Sequence, residues 1–153
     1  MAQFAKETTV SASDTQKEIE RTLRRYGATS FGYGWDETTA VIAFKIKERQ
    51  IKLFLPLPNK KDFLLTPSRG TRRSDTSAQT AWEQATRQSW RALALIIKAK
   101  LEAAEAGITT VEREFLPDVV LPNGQTVGQA IKPQIEQMYL TGEMPPLLLT
   151  TGE

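Results

Sequence analysis

The sequence predicts an α+β fold: a three-stranded antiparallel meander, preceded by a helix, packed by a long helix and followed by smaller C-terminal helices. Three observations predict it. Residues 29–55 fall into three runs with period-two patterning, one phase predominantly apolar, separated by very short links. Helical spacing of apolar residues replaces that alternation before residue 27 and again over 76–106. The 153 residues, 40% apolar and 25% charged, suit one globular domain with its own core.

The first helix is expected over residues 14–26. Ser13, Asp14 and Thr15 offer N-caps, Thr15-Gln16-Lys17-Glu18 fits a capping box, and Ile19, Leu23 and Tyr26 recur at helical spacing before Gly27. Residues 1–12 read as a flexible N-terminus. Strands follow at 29–35, 38–47 and 50–55, with hairpin links at Asp36-Glu37 and Glu48-Arg49. In the first strand Phe31, Tyr33 and Trp35 point one way, toward the core, and Gly32 and Gly34 the other. Trp35, at the strand end, is the ring expected to be partly exposed.

Pro56 and Pro58 end the third strand, and residues 56–75 read as a long basic loop without secondary structure. The long helix over 76–106 is expected to bury Ala81, Ala85, Ala92, Leu93, Ile96, Ile97 and Leu101, and to stop at Gly107. A short helix follows Thr109-Thr110, a short strand is expected at 119–121, and Pro122-Asn123-Gly124 marks a turn. Thr126-Val127-Gly128-Gln129 opens a last helix with Ile131, Ile135 and Met138 inward and a kink at Pro133. Residues 141–153 form an apolar tail. Its Pro145-Pro146-Leu147-Leu148-Leu149 run needs a partner, on this chain or another.

The composition excludes whole classes of chemistry. With no cysteine and no histidine, the chain has no thiolate nucleophile, no imidazole base and no Ser-His-Asp triad. No cofactor is expected, and no metal site is assigned. The N-terminus lacks an apolar signal region, and no run approaches the length of a membrane span, so the cytoplasm is the expected compartment.

The net charge of +2 conceals a segregation. Residues 45–73 hold nine basic residues against two acidic ones, whereas residues 101–153 hold two basic and eight acidic. Lys60, Lys61, Arg69, Arg72 and Arg73 lie in the loop, and Arg87 and Arg91 share a face of the following helix. Cations beside a helix N-terminus suit phosphate. These seven residues are the candidate nucleic-acid or anion-binding set, with Trp35 as a candidate stacking ring. Two other readings compete. A basic loop can equally grip an acidic protein or a small anionic nucleotide, and the acidic C-terminal third permits self-association into a homo-oligomer. A Mg²⁺-dependent nuclease would use Asp36, Gln50-Ile51-Lys52 and a helix carboxylate, Glu18 or Glu20. Its usual acidic residue at the position of Gln50 is missing.

The stretches Gln88-Ser89-Trp90-Arg91-Ala92-Leu93-Ala94-Leu95-Ile96-Ile97-Lys98-Ala99-Lys100-Leu101-Glu102 and Met144-Pro145-Pro146-Leu147-Leu148 resemble a family of small uncharacterised proteins of bacteriophages and bacterial genomes. That resemblance covers residues 14–149. It implies a phage or mobile-element setting and assigns no catalytic residue. By element order alone, the chain also resembles double-stranded-RNA-binding domains and the core of phage single-strand annealing proteins. Sequence motifs of those two groups are absent, and element order is a weak warrant for function.

Overall fold

The computed structural model describes residues 2–67 and 69–144. It has the expected α+β order: helix α1 (Ala2–Arg25), strands β1 (Ser30–Trp35), β2 (Thr39–Ile46) and β3 (Arg49–Pro56), long helix α2 (Asp75–Glu105), then α3 (Val111–Glu114) and α4 (Val127–Thr141). The strands form an antiparallel sheet in the order β1-β2-β3.

The register explains which residues face the helices. Phe31 pairs with Phe44 and Phe44 with Ile51; Tyr33, Ile42 and Leu53 form the next row, and Trp35, Ala40 and Leu55 the last. Directly paired residues share a face, so all nine point the same way. Ala40, Ile42, Phe44, Ile51 and Leu53 are buried there against Ile19 and Leu23 of α1 and Trp90, Leu93, Ala94, Ile97 and Leu101 of α2. Phe115 closes the cluster, its ring edge-on to Phe44 at 5.6 Å. Both long helices therefore cover one face of the sheet. The other face carries Gly32, Gly34, Val41, Ala43, Lys45, Lys52 and Phe54.

The long helix is well fixed at both ends. Ser74 Oγ accepts the Ser77 N–H at 3.1 Å, with Asp75 in the first turn. At the other end Gly107 takes φ +81°, and the N–H groups of Gly107 and Ile108 return to Ala104 and Ala103 carbonyls, a closure that needs a left-handed residue.

Several expectations are corrected. α1 begins at Ala2, so Ser13, Asp14 and Thr15 lie inside a helix. Thr15 and Gln16 are buried, where helix α1 packs on α2. Their polar side chains serve the interhelical seam rather than a cap. The second hairpin turns at Lys47-Glu48, one residue earlier than expected, with φ of 50° and 63° in a sequence lacking glycine or asparagine. In α2, Ala92 and Ile96 point outward, because each lies about 100° or more around the helix from the Leu93–Ile97–Leu101 line.

Residues 119–121 form no full strand. Val119 bridges to Ile51, and Val120 to Thr126. Helix α4 packs on the 3₁₀ turn Leu116–Asp118. A Cβ at Gly128 would lie 3.1 Å from the Pro117 carbonyl oxygen, so glycine permits that approach. Ile131 and Met138 are half-buried and Ile135 is exposed; no residue of α4 is fully buried. The run from Pro145 to Leu149 lies outside the described residues. Among the described residues, no helix is long and apolar enough to cross a membrane.

Candidate nucleic-acid interface

The loop expected over residues 56–75 without secondary structure is folded into a knuckle over the described residues 57–67 and 69–74. Trp82 Nε1 of α2 donates to the Pro58 carbonyl at 2.8 Å and pins its start. Asn59 Oδ1 accepts the Lys61 N–H at 3.0 Å and caps a 3₁₀ turn at Lys60–Phe63. Leu65 then bridges antiparallel to Arg72. Inside that bridge the Thr66 N–H donates to the Thr71 carbonyl at 2.7 Å, and the Thr71 N–H to Thr66 Oγ1 at 3.1 Å.

This architecture separates the five loop cations into two kinds. Lys60, Lys61, Arg69 and Arg72 are exposed. Arg73 is half-buried, and its Nη1 donates to the carbonyls of Phe63 and Leu65 at 3.1 and 3.4 Å. Its guanidinium therefore braces the knuckle from within. The only acidic residue between positions 57 and 74 is Asp62, so the exposed surface of the knuckle is strongly cationic. The N-terminus of α2 adds less than expected, because Ser74 Oγ already accepts the Ser77 N–H and the Asp75 carboxylate stands in the first turn.

Arg87 and Arg91 do not join this cluster. At 3.6 residues per turn they lie about 140–180° around α2 from Ala78 and Trp82, the knuckle side. They line a cleft against α1 with Asp14, Thr15, Gln84 and Gln88. Arg91 Nη1 is 3.0 Å from Glu18 Oε2, so this flank is of mixed charge.

Trp35 is on the knuckle's side of the molecule. The core-facing rings of β1 emerge progressively: Phe31 is half-buried, Tyr33 is 47% exposed and edge-on to Trp90, and Trp35 is 69% exposed. Trp35 shares a row with Leu55, two strand spacings or about 10 Å away. Leu55 lies two residues before the knuckle, and the Leu57 N–H donates to the Thr38 carbonyl at 2.9 Å. Trp35 and the start of the knuckle thus sit at the same end of the sheet.

The outer sheet face adds a feature that the loop-centred reading passed over. Lys45 is exposed, and Lys52 Nζ sits 5.4 Å from the centroid of the partly exposed Phe54 ring. No atom lies within 4 Å of a Cβ built on Gly32 or Gly34. Strand parity was the available signal, since Lys45, Lys52 and Phe54 all fall on the phase opposite to the core.

The nuclease constellation is not assembled. Asp36 lies in the β1–β2 turn, where Oδ1 accepts from the Thr38 and Thr39 N–H groups at 2.8 and 2.9 Å and from the Thr38 hydroxyl at 3.0 Å. The Thr38 N–H, then the other two donors, hold its carboxyl below the ordinary range. Gln50 lies five residues back along β3 from the row of Trp35, about 17 Å along the strand. Glu18 and Glu20 pair with Arg91 and Arg24 on the helix layer. Among the described residues, no three His, Cys, Asp or Glu side chains converge as a metal site.

No protein-family model, curated protein or solved structure matches this chain. The phage-family likeness therefore gains no support, and function must be argued from the chain's own chemistry.

Proposed function

We propose that this protein binds nucleic acid without cutting it, through phosphate contacts from Lys60, Lys61, Arg69 and Arg72, with Trp35 stacking on an unpaired base. The observation that carries the reading is four exposed cations on a folded knuckle whose own sequence, residues 57–74, holds one acidic residue, Asp62. Such contacts neutralise backbone phosphate and do not read sequence. An exposed aromatic ring favours single-stranded substrates, because paired bases offer no free face.

The test is the fourfold substitution Lys60→Ala, Lys61→Ala, Arg69→Ala, Arg72→Ala, titrated by fluorescence anisotropy against labelled single-stranded and duplex DNA and RNA. At least a tenfold loss of affinity for every polymer is expected. Trp35→Ala should weaken single-strand binding alone, by roughly 1–3 kcal/mol. A fourfold variant that binds as well as the parent sinks the assignment.

A second reading draws on helix α4. Ile135, Tyr139 and Leu140 of α4 are exposed, Tyr139 at 88%, and so is Met144 just beyond its end. Apolar groups concentrated on one element suit a protein partner. Pull-down with Tyr139→Lys, Leu140→Lys as the control separates the readings, because those changes leave the knuckle intact.

A further inference from the structure

The outward face of α2 carries a second apolar stripe, which its core packing does not use. Leu95 is 60% exposed and Ile96 50%. Ala92 and Ala99 beside them are also exposed. With Gln88 and Ala103 the positions run 88, 92, 95, 96, 99, 103, the three-four spacing of a helix–helix seam. At about 100° per residue this line points nearly opposite to Trp90, Ile97 and Leu101, and so away from the sheet.

The stripe reads the same in both directions. Reversing α2 about a point between residues 95 and 96 sets Leu95 against Ile96, Ala92 against Ala99 and Gln88 against Ala103. An isologous two-fold contact requires this self-complementarity. Alanines at two of the crossing points also let the backbones approach closely. On the flank nearest the stripe, Arg91 and Glu102 stay more than half exposed in their own-chain pairs with Glu18 and Lys98. An antiparallel pair sets Arg91 of one chain within about two residues of Glu102 of the other. A parallel pair, whose two-fold axis runs along the helices, sets that flank against the opposite one.

We infer that the partner of this face is a second copy of the same chain, docked antiparallel through α2 about a two-fold axis near Leu95 and Ile96. The dimer places its two helix layers back to back and its two sheets on the outside. The basic knuckles then lie at opposite ends of the paired helices, because each precedes the N-terminus of its own α2. This inference does not depend on nucleic-acid binding.

Sedimentation velocity on the full chain over a concentration series tests it. A reversible dimer is expected. Leu95→Glu with Ile96→Glu should raise its dissociation constant at least a hundredfold. Both positions are exposed, so the helical circular dichroism should be retained. Glu102→Arg should weaken the dimer, and adding Arg91→Glu should restore it. A nitroxide on a cysteine introduced at Gln88 fixes the direction. The two labels are offset by about 22 Å along the axis if the helices run antiparallel, and sit roughly 8–10 Å apart if parallel. A chain that stays monomeric at all concentrations overturns the inference, as does a dimer indifferent to the Leu95 and Ile96 changes. A monomer that dimerises only after removal of residues 145–153 also overturns it, by showing that the chain's own tail covers the stripe.

Discussion

The sheet-and-helix core and the basic knuckle are held together by different physics. In the core, Ile42, Phe44, Ile51, Ile97 and Phe115 are completely buried, and the stabilising quantity is apolar area removed from water. In the knuckle the 3₁₀ turn buries no residue. Its order comes from hydrogen bonds: Asn59 to Lys61, Trp82 to Pro58 and Arg73 to two carbonyls. The lesson is a separation in residue space. Changes in the core should alter stability and leave binding by the folded protein intact. Changes to exposed knuckle cations should do the reverse. Arg73 belongs to both, because it is a cation whose contacts are structural.

The largest expected effect is Phe44→Ala, which removes a fully buried ring and its contact with Phe115. It should destabilise by about 3–5 kcal/mol in urea unfolding, while the remaining folded fraction binds nucleic acid unchanged. Arg73→Ala sharpens the comparison. Loss of its carbonyl contacts should cost about 1–2 kcal/mol, and single-strand affinity should fall only as far as the knuckle loosens. If Arg73→Ala leaves thermal stability untouched yet abolishes binding, its bracing role is wrong.

Smaller effects lie in the turns. Glu48 holds φ 63° in the Lys47-Glu48 turn. Glu48→Gly should stabilise by roughly 0.5–1 kcal/mol in thermal unfolding, because glycine adopts that region without steric cost. The pH dependence should be the slightest and opposite at two carboxylates. Donors in the turn lower the Asp36 pKa. Its stabilising contribution is therefore present above the unfolded value and is lost as pH falls through the folded one. The deficit of Asp36→Ala should fade at low pH. Burial raises the Asp118 pKa, despite the opposing charge of Lys100. That contribution is present below the unfolded value and lost as pH rises through the folded one. Asp118→Asn should thus be at least as stable as the parent at pH 7, with the advantage vanishing in acid.

Much of the fold was legible because period-2 alternation is unambiguous where one sheet face is buried. The strand bounds inferred from Phe31 to Leu55 lie within a residue or two of those in the structure. The long helix was also legible from its apolar spacing and Gly107. Its buried face was harder to assign, because alanine, leucine and isoleucine occupy two sides of α2. Sequence spacing alone could not divide Ile96 from Ile97. The turn at Lys47-Glu48 carries none of the residues that announce a left-handed pair. At the candidate site, the basic block was visible as composition. Composition could not separate Arg73, turned inward to carbonyls, from Arg72 beside it. It also could not reveal that α2 carries Arg87 and Arg91 away from the knuckle.

The central claim is that exposed knuckle cations contact phosphate, and salt dependence tests it most directly. Anisotropy titrations of parent and fourfold variant against single-stranded DNA should be run across a salt series. Four phosphate contacts predict a slope of log affinity on log salt near −3 for the parent, since each contact contributes about −0.7. The variant's slope should approach zero. Equal slopes for the two proteins, or a parent that fails to bind at low salt, would contradict the account.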